Sequence, residues 1–251
     1  MINSSNPFLN NNTFSGYSTK LEQKMTIEGT ANKTLILLSI VVSISAIIWS
    51  LTYSSISNGE LPLLIPASII IGGVGSFIVA IITMLSKKEN AVYTATIYAI
   101  FEGLFIGGIS TIFEFYYPLI VLQAVMLTFG VFFTMLIIYK MNLIPVTQNL
   151  RIGIYCAISS IFLIYIVSLI MSLLGSGIPF IHSSGPIGIG FSLLVCGIAA
   201  ISFLLDFDFI EKRVESGSPQ YLEWYAAFGL LVTLVWLYIE ILHLLAKLRN
   251  R

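Results

Sequence analysis

Seven long apolar runs dominate this 251-residue sequence. A helix rises about 1.5 Å per residue, so a run of about 20 residues crosses roughly 30 Å of hydrocarbon. Hydrocarbon offers no water to backbone amides and carbonyls, which excludes open strands and favours helices. The sequence therefore predicts an all-α polytopic membrane protein whose seven spans are Thr34–Ser55, Pro62–Leu85, Ala91–Phe113, Pro118–Tyr139, Ile152–Leu174, Gly185–Leu205 and Tyr225–Ala246.

These spans leave little chain for any other domain. Only 10% of the residues are charged, against roughly 25% in an average soluble domain. We expect a disordered cytoplasmic tail at 1–33, a transmembrane domain at 34–246 and a short basic tail at 247–251. The first tail is rich in Asn, Ser and Thr and has no apolar core of the kind that signal peptides carry.

The positions of Lys and Arg predict the orientation of the spans. The first, third and fifth links have neither residue, so a cytoplasmic N-terminus in the cell membrane satisfies every link. Seven spans then place the basic residues Lys247, Arg249 and Arg251 outside. The alternative is a re-entrant last segment and six full crossings, and we favour seven. The basic residues behind this prediction are Lys20, Lys24, Lys33, Lys87, Lys88, Lys140, Arg151, Lys212 and Arg213.

Small residues inside the spans indicate close packing. Gly103 and Gly107 form a GxxxG motif, which allows two helices to approach closely within a bundle or between two chains. Packing within one bundle is the more common use, so we expect a monomer or a weak homo-oligomer. Cys156 and Cys196 lie in apolar runs and are interpreted as small buried hydrophobic residues.

Several carboxylates lie inside the spans, whereas every Lys and Arg lies outside them or at their ends. An ionised carboxylate in hydrocarbon costs at least a few kcal/mol, so such residues face the bundle interior, bind a cation or stay protonated. Glu102 lies near the middle of its span, where an ion site and a protonated packing hydrogen bond are equal alternatives. The pattern predicts that the protein handles cations or protons in the lipid bilayer.

The other candidates lie in the last two spans. Asp206 and Asp208 are two residues apart and point to different helix faces, so we expect Asp206 inside and Asp208 as a solvated cap. Glu240 shares a face with His243 and Trp236, and a local bond between Glu240 and His243 near the outer interface is the alternative to an ion site. A further histidine in the fifth link, His182, is interpreted as a solvated loop residue.

The sequence lacks the motifs that mark several functional classes. There is no HExxH, no glycine-flanked catalytic serine and no phosphate loop, so we expect neither enzymatic activity nor a cofactor. An intramembrane hydrolase would need paired catalytic residues, and the motif that contains Asp206 and Asp208 does not supply them. The formal charge is balanced, and no basic stripe indicates nucleic-acid binding.

Three stretches resemble the Bax inhibitor-1 family in its bacterial branch, as does the SSNPF near the N-terminus. The resemblance implies six helices around a central seventh and a pH-sensitive calcium leak. It implies that an acid in the sixth span and an acid in the seventh close the path by sharing a proton or a hydrogen bond. The stretches are AVYTATIYAIFEGLFIGGIS, HSSGPIGIGFSLLVCGIAAISFLLDFDFIE and PQYLEWYAAFGLLVTLVWLYIEILHLLAKL.

Asp206 matches the family's sixth-span acid, and Glu240 resembles its seventh-span acid, with Glu in place of the usual Asp. Counted from a turn near Gly217, Asp206 lies roughly 15 Å and Glu240 roughly 30 Å along its helix, so straight helices do not join them. A kink, tilt or long link restores the pair, or Asp206 pairs with Glu223 and Glu240 belongs to a separate outer site. Calcium, which prefers oxygen ligands, would bind Asp206 and Glu240.

The leading hypothesis is a calcium or cation leak channel, gated by protonation of the carboxylates Asp206, Asp208, Glu240 and Glu102. His243 and Glu223 are secondary candidates, and calcium or protons are the expected permeant ions. The alternative is a regulatory protein that binds and modulates other membrane proteins without conducting ions.

Overall fold

The computed structural model describes residues 24–58, 62–175 and 183–250. This part of the chain contains seven α-helices, and each is long and apolar enough to cross a membrane. The predicted all-α, seven-span architecture is therefore confirmed, and the last helix is long enough for a full crossing. The helices are α1 (Ile27–Ser57), α2 (Leu64–Leu85), α3 (Ala91–Tyr116), α4 (Ile120–Lys140), α5 (Gln148–Leu173), α6 (Pro186–Glu215) and α7 (Leu222–Arg249).

The two ends of the transmembrane domain differ from the prediction. Helix α1 begins at Ile27, so 27–33 is helical and does not belong to a disordered tail. Helix α7 continues to Arg249, so most of the predicted basic tail is helical as well. Polar contacts to neighbouring helices stabilise both extensions, as described below. Residues 1–23 and His182 lie outside the described residues.

The helices alternate in direction, so the bundle has two ends. One end, here called the N-terminal face, holds the starts of α1, α3, α5 and α7. There the Met25 amide donates to the Ser218 carbonyl at 2.8 Å. At the other end, the opposite face, Arg249 of α7 donates to the Gln123 side chain of α4 at 3.0 Å.

Helix α7 is the most central helix. It packs against α1, α3, α4 and α6, and it has buried residues along its whole length. Helix α2 packs mainly on α3, and α5 packs on α6, so these two helices lie to the side. Helix α7 is thus central as the resemblance implied, but four of the other six helices, and not all six, pack closely around it.

Glycines allow the closest helix contacts. A Cβ atom at Gly103 would lie 2.7 Å from the Ile44 Cβ of α1, and one at Gly72 would lie 2.4 Å from the Phe105 amide nitrogen of α3. The GxxxG motif is therefore used for packing inside the bundle. Cys196 is buried as expected, whereas Cys156 is exposed. Only a narrow stripe of α5 faces the rest of the bundle, and Cys156 lies outside that stripe.

A tight turn joins α6 to α7 at the N-terminal face. Gly217 has φ of 67°, a left-handed conformation that glycine adopts without steric cost. The Ser218 amide donates to the Arg213 carbonyl at 3.1 Å, which is the bond of a Schellman helix end. This short turn fixes the register of α7 against α6.

Candidate functional site at the α6–α7 seam

Three polar residues recur at intervals of seven along α7: Thr233, Glu240 and Lys247. Seven residues are close to two helical turns, so the three share one face and rise in steps of about 10 Å. Their partners include Asp206 and Ser192 of α6. We call these five residues the polar seam.

Asp206 occupies the lowest level of the polar seam, nearest the N-terminal face. The Thr233 hydroxyl donates to the Asp206 Oδ2 atom at 2.7 Å. Asp206 is partly buried, and no ion pair to it occurs among the described residues. A hydroxyl donor can serve either the ionised or the protonated carboxyl group. Thr233 was not predicted from the sequence, because a threonine in an apolar span carries no strong signal alone.

Glu240 occupies the middle level and is only 4% exposed. Its Oε1 atom accepts from the Tyr165 hydroxyl of α5 at 2.8 Å and from the Trp236 indole at 3.2 Å. The His243 ring packs edge-on against Phe113, with the ring centroids 5.3 Å apart. Tyr165 thus ties the peripheral helix α5 to the central helix.

The structure does not bring Asp206 and Glu240 into one site. Asp206 bonds to Thr233, and Glu240 lies about 10 Å further along α7. Their offset arises because Asp206 lies 11 residues before Gly217 in the turn, whereas Glu240 lies 23 residues after it. No group of three or more potential metal-ligating side chains occurs in the described part of the chain. The predicted calcium site shared by these two carboxylates is therefore not formed in this conformation.

Asp208 is not the solvated cap that the sequence suggested. It is buried and pairs with Arg151 at the start of α5. Its Oδ1 atom also lies 2.9 Å from the Lys212 ammonium, one turn along α6. The partner Arg151 is 57 residues away in sequence, which is why the pairing could not be predicted.

Glu223 is likewise held by a partner other than Asp206. It is fully buried at the start of α7 and pairs with Lys33 of α1. Its Oε1 atom accepts from the Thr26 amide at 2.8 Å and from the Thr26 hydroxyl at 3.0 Å. This cluster accounts for the early start of α1, and it excludes Glu223 as the partner of Asp206 in this conformation.

Glu102 lies away from the polar seam. It is 4% exposed on α3, where Tyr98 lies one turn before it on the same helix. The ring of Tyr98 packs edge-on against Phe228, at a centroid distance of 4.9 Å. The close glycine contacts of α2 and α3 leave Glu102 in a packed interface.

Lys247 occupies the highest level of the polar seam, near the opposite face. Its ammonium group donates to the Ser192 hydroxyl at 2.7 Å and to the Gly188 carbonyl at 3.2 Å. Lys247 lies two helical turns beyond Glu240 on the same face of α7. Asp208 and Glu223 thus have cationic partners, whereas no ion pair to Asp206 occurs among the described residues.

Apolar side chains separate the polar levels. On α6, the segment between Ser192 and Asp206 includes Ala199 and Phe203, which are both fully buried. The Phe203 ring packs against Phe132 of α4 at a centroid distance of 5.2 Å. A hydrated ion cannot cross these packed layers without a shift of the helices. Packed apolar side chains therefore lie between the polar groups at the two ends of the seam.

These features define a class: an integral membrane protein with seven helices and carboxylates buried along the seam of its last two helices. The model of the Bax inhibitor 1 like family matches residues 6–250, nearly the whole chain. The chain therefore belongs to this family, as the sequence resemblance predicted. Searches of the curated proteins and of the solved structures found no match.

Proposed function

We propose that this protein is a cation leak pathway, with calcium as the permeant ion, and that the polar seam is its route. In this proposal Asp206 and Glu240 gate the route by taking up and releasing protons. The N-terminal face lies in the cytoplasm of a cell whose plasma membrane holds the protein.

The observation that carries the proposal is the position of Asp206. A carboxyl group in a membrane span faces the central helix, with a hydroxyl donor and no ion pair among the described residues. Without a fixed cation nearby, its charge depends on a proton or a mobile cation. Asp208, two residues away, provides the contrast, since Arg151 and Lys212 neutralise it.

Glu240 provides a second position along the route at which a cation could bind. Glu240 lies one level higher on the same face of α7 and presents an oxygen ligand of the kind that calcium prefers. The hydrogen bonds from Tyr165 and Trp236 both reach its Oε1 atom. A cation that leaves Asp206 would meet Glu240 next, once the layer that contains Phe203 has separated.

Flux through reconstituted protein tests this proposal. Purified protein is placed in liposomes that contain a calcium-sensitive dye, and influx is measured as the external pH is varied. The wild type is expected to show calcium influx that changes with pH, and Asp206→Asn is expected to remove that pH dependence. Equal influx in both proteins at every pH would rule out gating by Asp206.

The alternative, a regulatory protein that does not conduct ions, rested partly on glycine faces that could bind partners. In the structure, the glycines of α2 and α3 contact neighbouring helices of the same chain. These glycines are therefore not free to bind a partner protein.

A further inference from the structure

The ammonium group of Lys247 points back into the bundle. It donates to the Gly188 carbonyl and the Ser192 hydroxyl, and Ser192 is only 2% exposed. The neighbouring cation Arg249 lies in an exposed position and donates to the Pro118 carbonyl. Two cations of the same helix end thus have different environments.

The groups around the Lys247 ammonium resemble those that bind a metal cation. A backbone carbonyl and a hydroxyl supply oxygen ligands, and Glu240 lies about two turns away on the same face of α7. A lysine ammonium is a compact point charge with three donors on a flexible stem. It can therefore occupy a cation position without being able to leave the protein.

We propose that Lys247 is a tethered plug, which occupies the last cation position of the polar seam and closes the route at the opposite face. The positive charge repels an incoming cation, and the side chain fills the space between α6 and α7. Opening requires the ammonium to leave Gly188 and Ser192. This inference rests on the proposed function, since a plug has meaning only if the seam conducts.

The test compares calcium influx into dye-loaded liposomes of phosphatidylcholine and phosphatidylglycerol. Loss of hydrogen bonds to a charged group is expected to raise the basal influx of Lys247→Ala by about tenfold. Arg249→Gln, which removes a cation from the same helix end, is the matched control and is expected to leave influx unchanged. Propylammonium in the medium is expected to restore the block in Lys247→Ala, because it returns an ammonium group to the vacated position.

The outcomes separate the two proposals. Wild-type influx with an equal influx in Lys247→Ala would overturn the plug and leave the cation pathway standing. An equal rise in Lys247→Ala and Arg249→Gln, without an effect of propylammonium, would also overturn it, because a loosened helix end would then explain the flux. Absence of influx in every folded variant at every pH would overturn the pathway and the plug together.

Discussion

The hydroxyl of Thr233 on α7 donates to the carboxyl group of Asp206 on α6, with 2.7 Å between the oxygens. This bond links the two most buried helices at the level where the membrane-embedded acid has no ion pair among the described residues. It also fixes the register of the polar seam, because Glu240 and Lys247 follow on the same face of α7.

Replacement of Thr233 by Val keeps the shape of the side chain and removes the donor. We expect Thr233→Val to lower the free energy of unfolding by about 1–2 kcal/mol and to shift the pH at which calcium influx changes. Thr233→Ser retains the hydroxyl and should behave like the wild type. The measurements are thermal unfolding in detergent and the liposome influx assay, and an unchanged pH profile in Thr233→Val would contradict a gating role for this bond.

The pair of Lys33 and Glu223 stabilises the N-terminal face. Glu223 is fully buried, and removal of one partner of a buried ion pair costs about 3–5 kcal/mol. We therefore expect Lys33→Met to lower the melting temperature markedly. In Lys33→Met/Glu223→Gln no uncompensated charge remains, so the double variant should recover part of the loss. A double variant less stable than Lys33→Met would show that the pair is not the cause.

Close helix packing makes Gly72 intolerant of a side chain. A Cβ atom there would lie 2.4 Å from the Phe105 amide nitrogen, a backbone atom that cannot move aside. Overpacking of this kind costs about 1–3 kcal/mol, so Gly72→Ala should destabilise the protein. Gly130→Ala on α4, where a Cβ meets nothing within 4 Å, is the matched control and should be neutral or stabilising. Similar melting temperatures for the two variants would argue against the observed contact of α2 and α3.

The spans were predictable from the sequence because their length and composition follow directly from the thickness of a bilayer. Helix ends were less predictable, since the early start of α1 depends on Glu223, 190 residues from Lys33. The ion pair of Asp208 with Arg151 could not be predicted either, because its partners are 57 residues apart in sequence. Such long-range pairs leave no local pattern in one sequence.

The candidate site was predictable in part. Asp206 and Glu240 stood out as acids in apolar spans, and the helical rise correctly placed them at different levels. Their partners Thr233 and Tyr165 were missed, because hydroxyl side chains are common in spans and usually bond to their own helix. The interval of seven that joins Thr233, Glu240 and Lys247 was present in the sequence and could have indicated a shared face.

Calcium influx through two matched variants tests the polar seam most directly. Glu240 and Glu102 are both 4% exposed, both lie within spans and both can be replaced by Gln, but only Glu240 belongs to the seam. We predict that Glu240→Gln changes the rate and pH dependence of calcium influx into dye-loaded liposomes, whereas Glu102→Gln retains the wild-type profile. A wild-type profile in Glu240→Gln, or an altered profile in Glu102→Gln alone, would contradict conduction along the contact of α6 and α7.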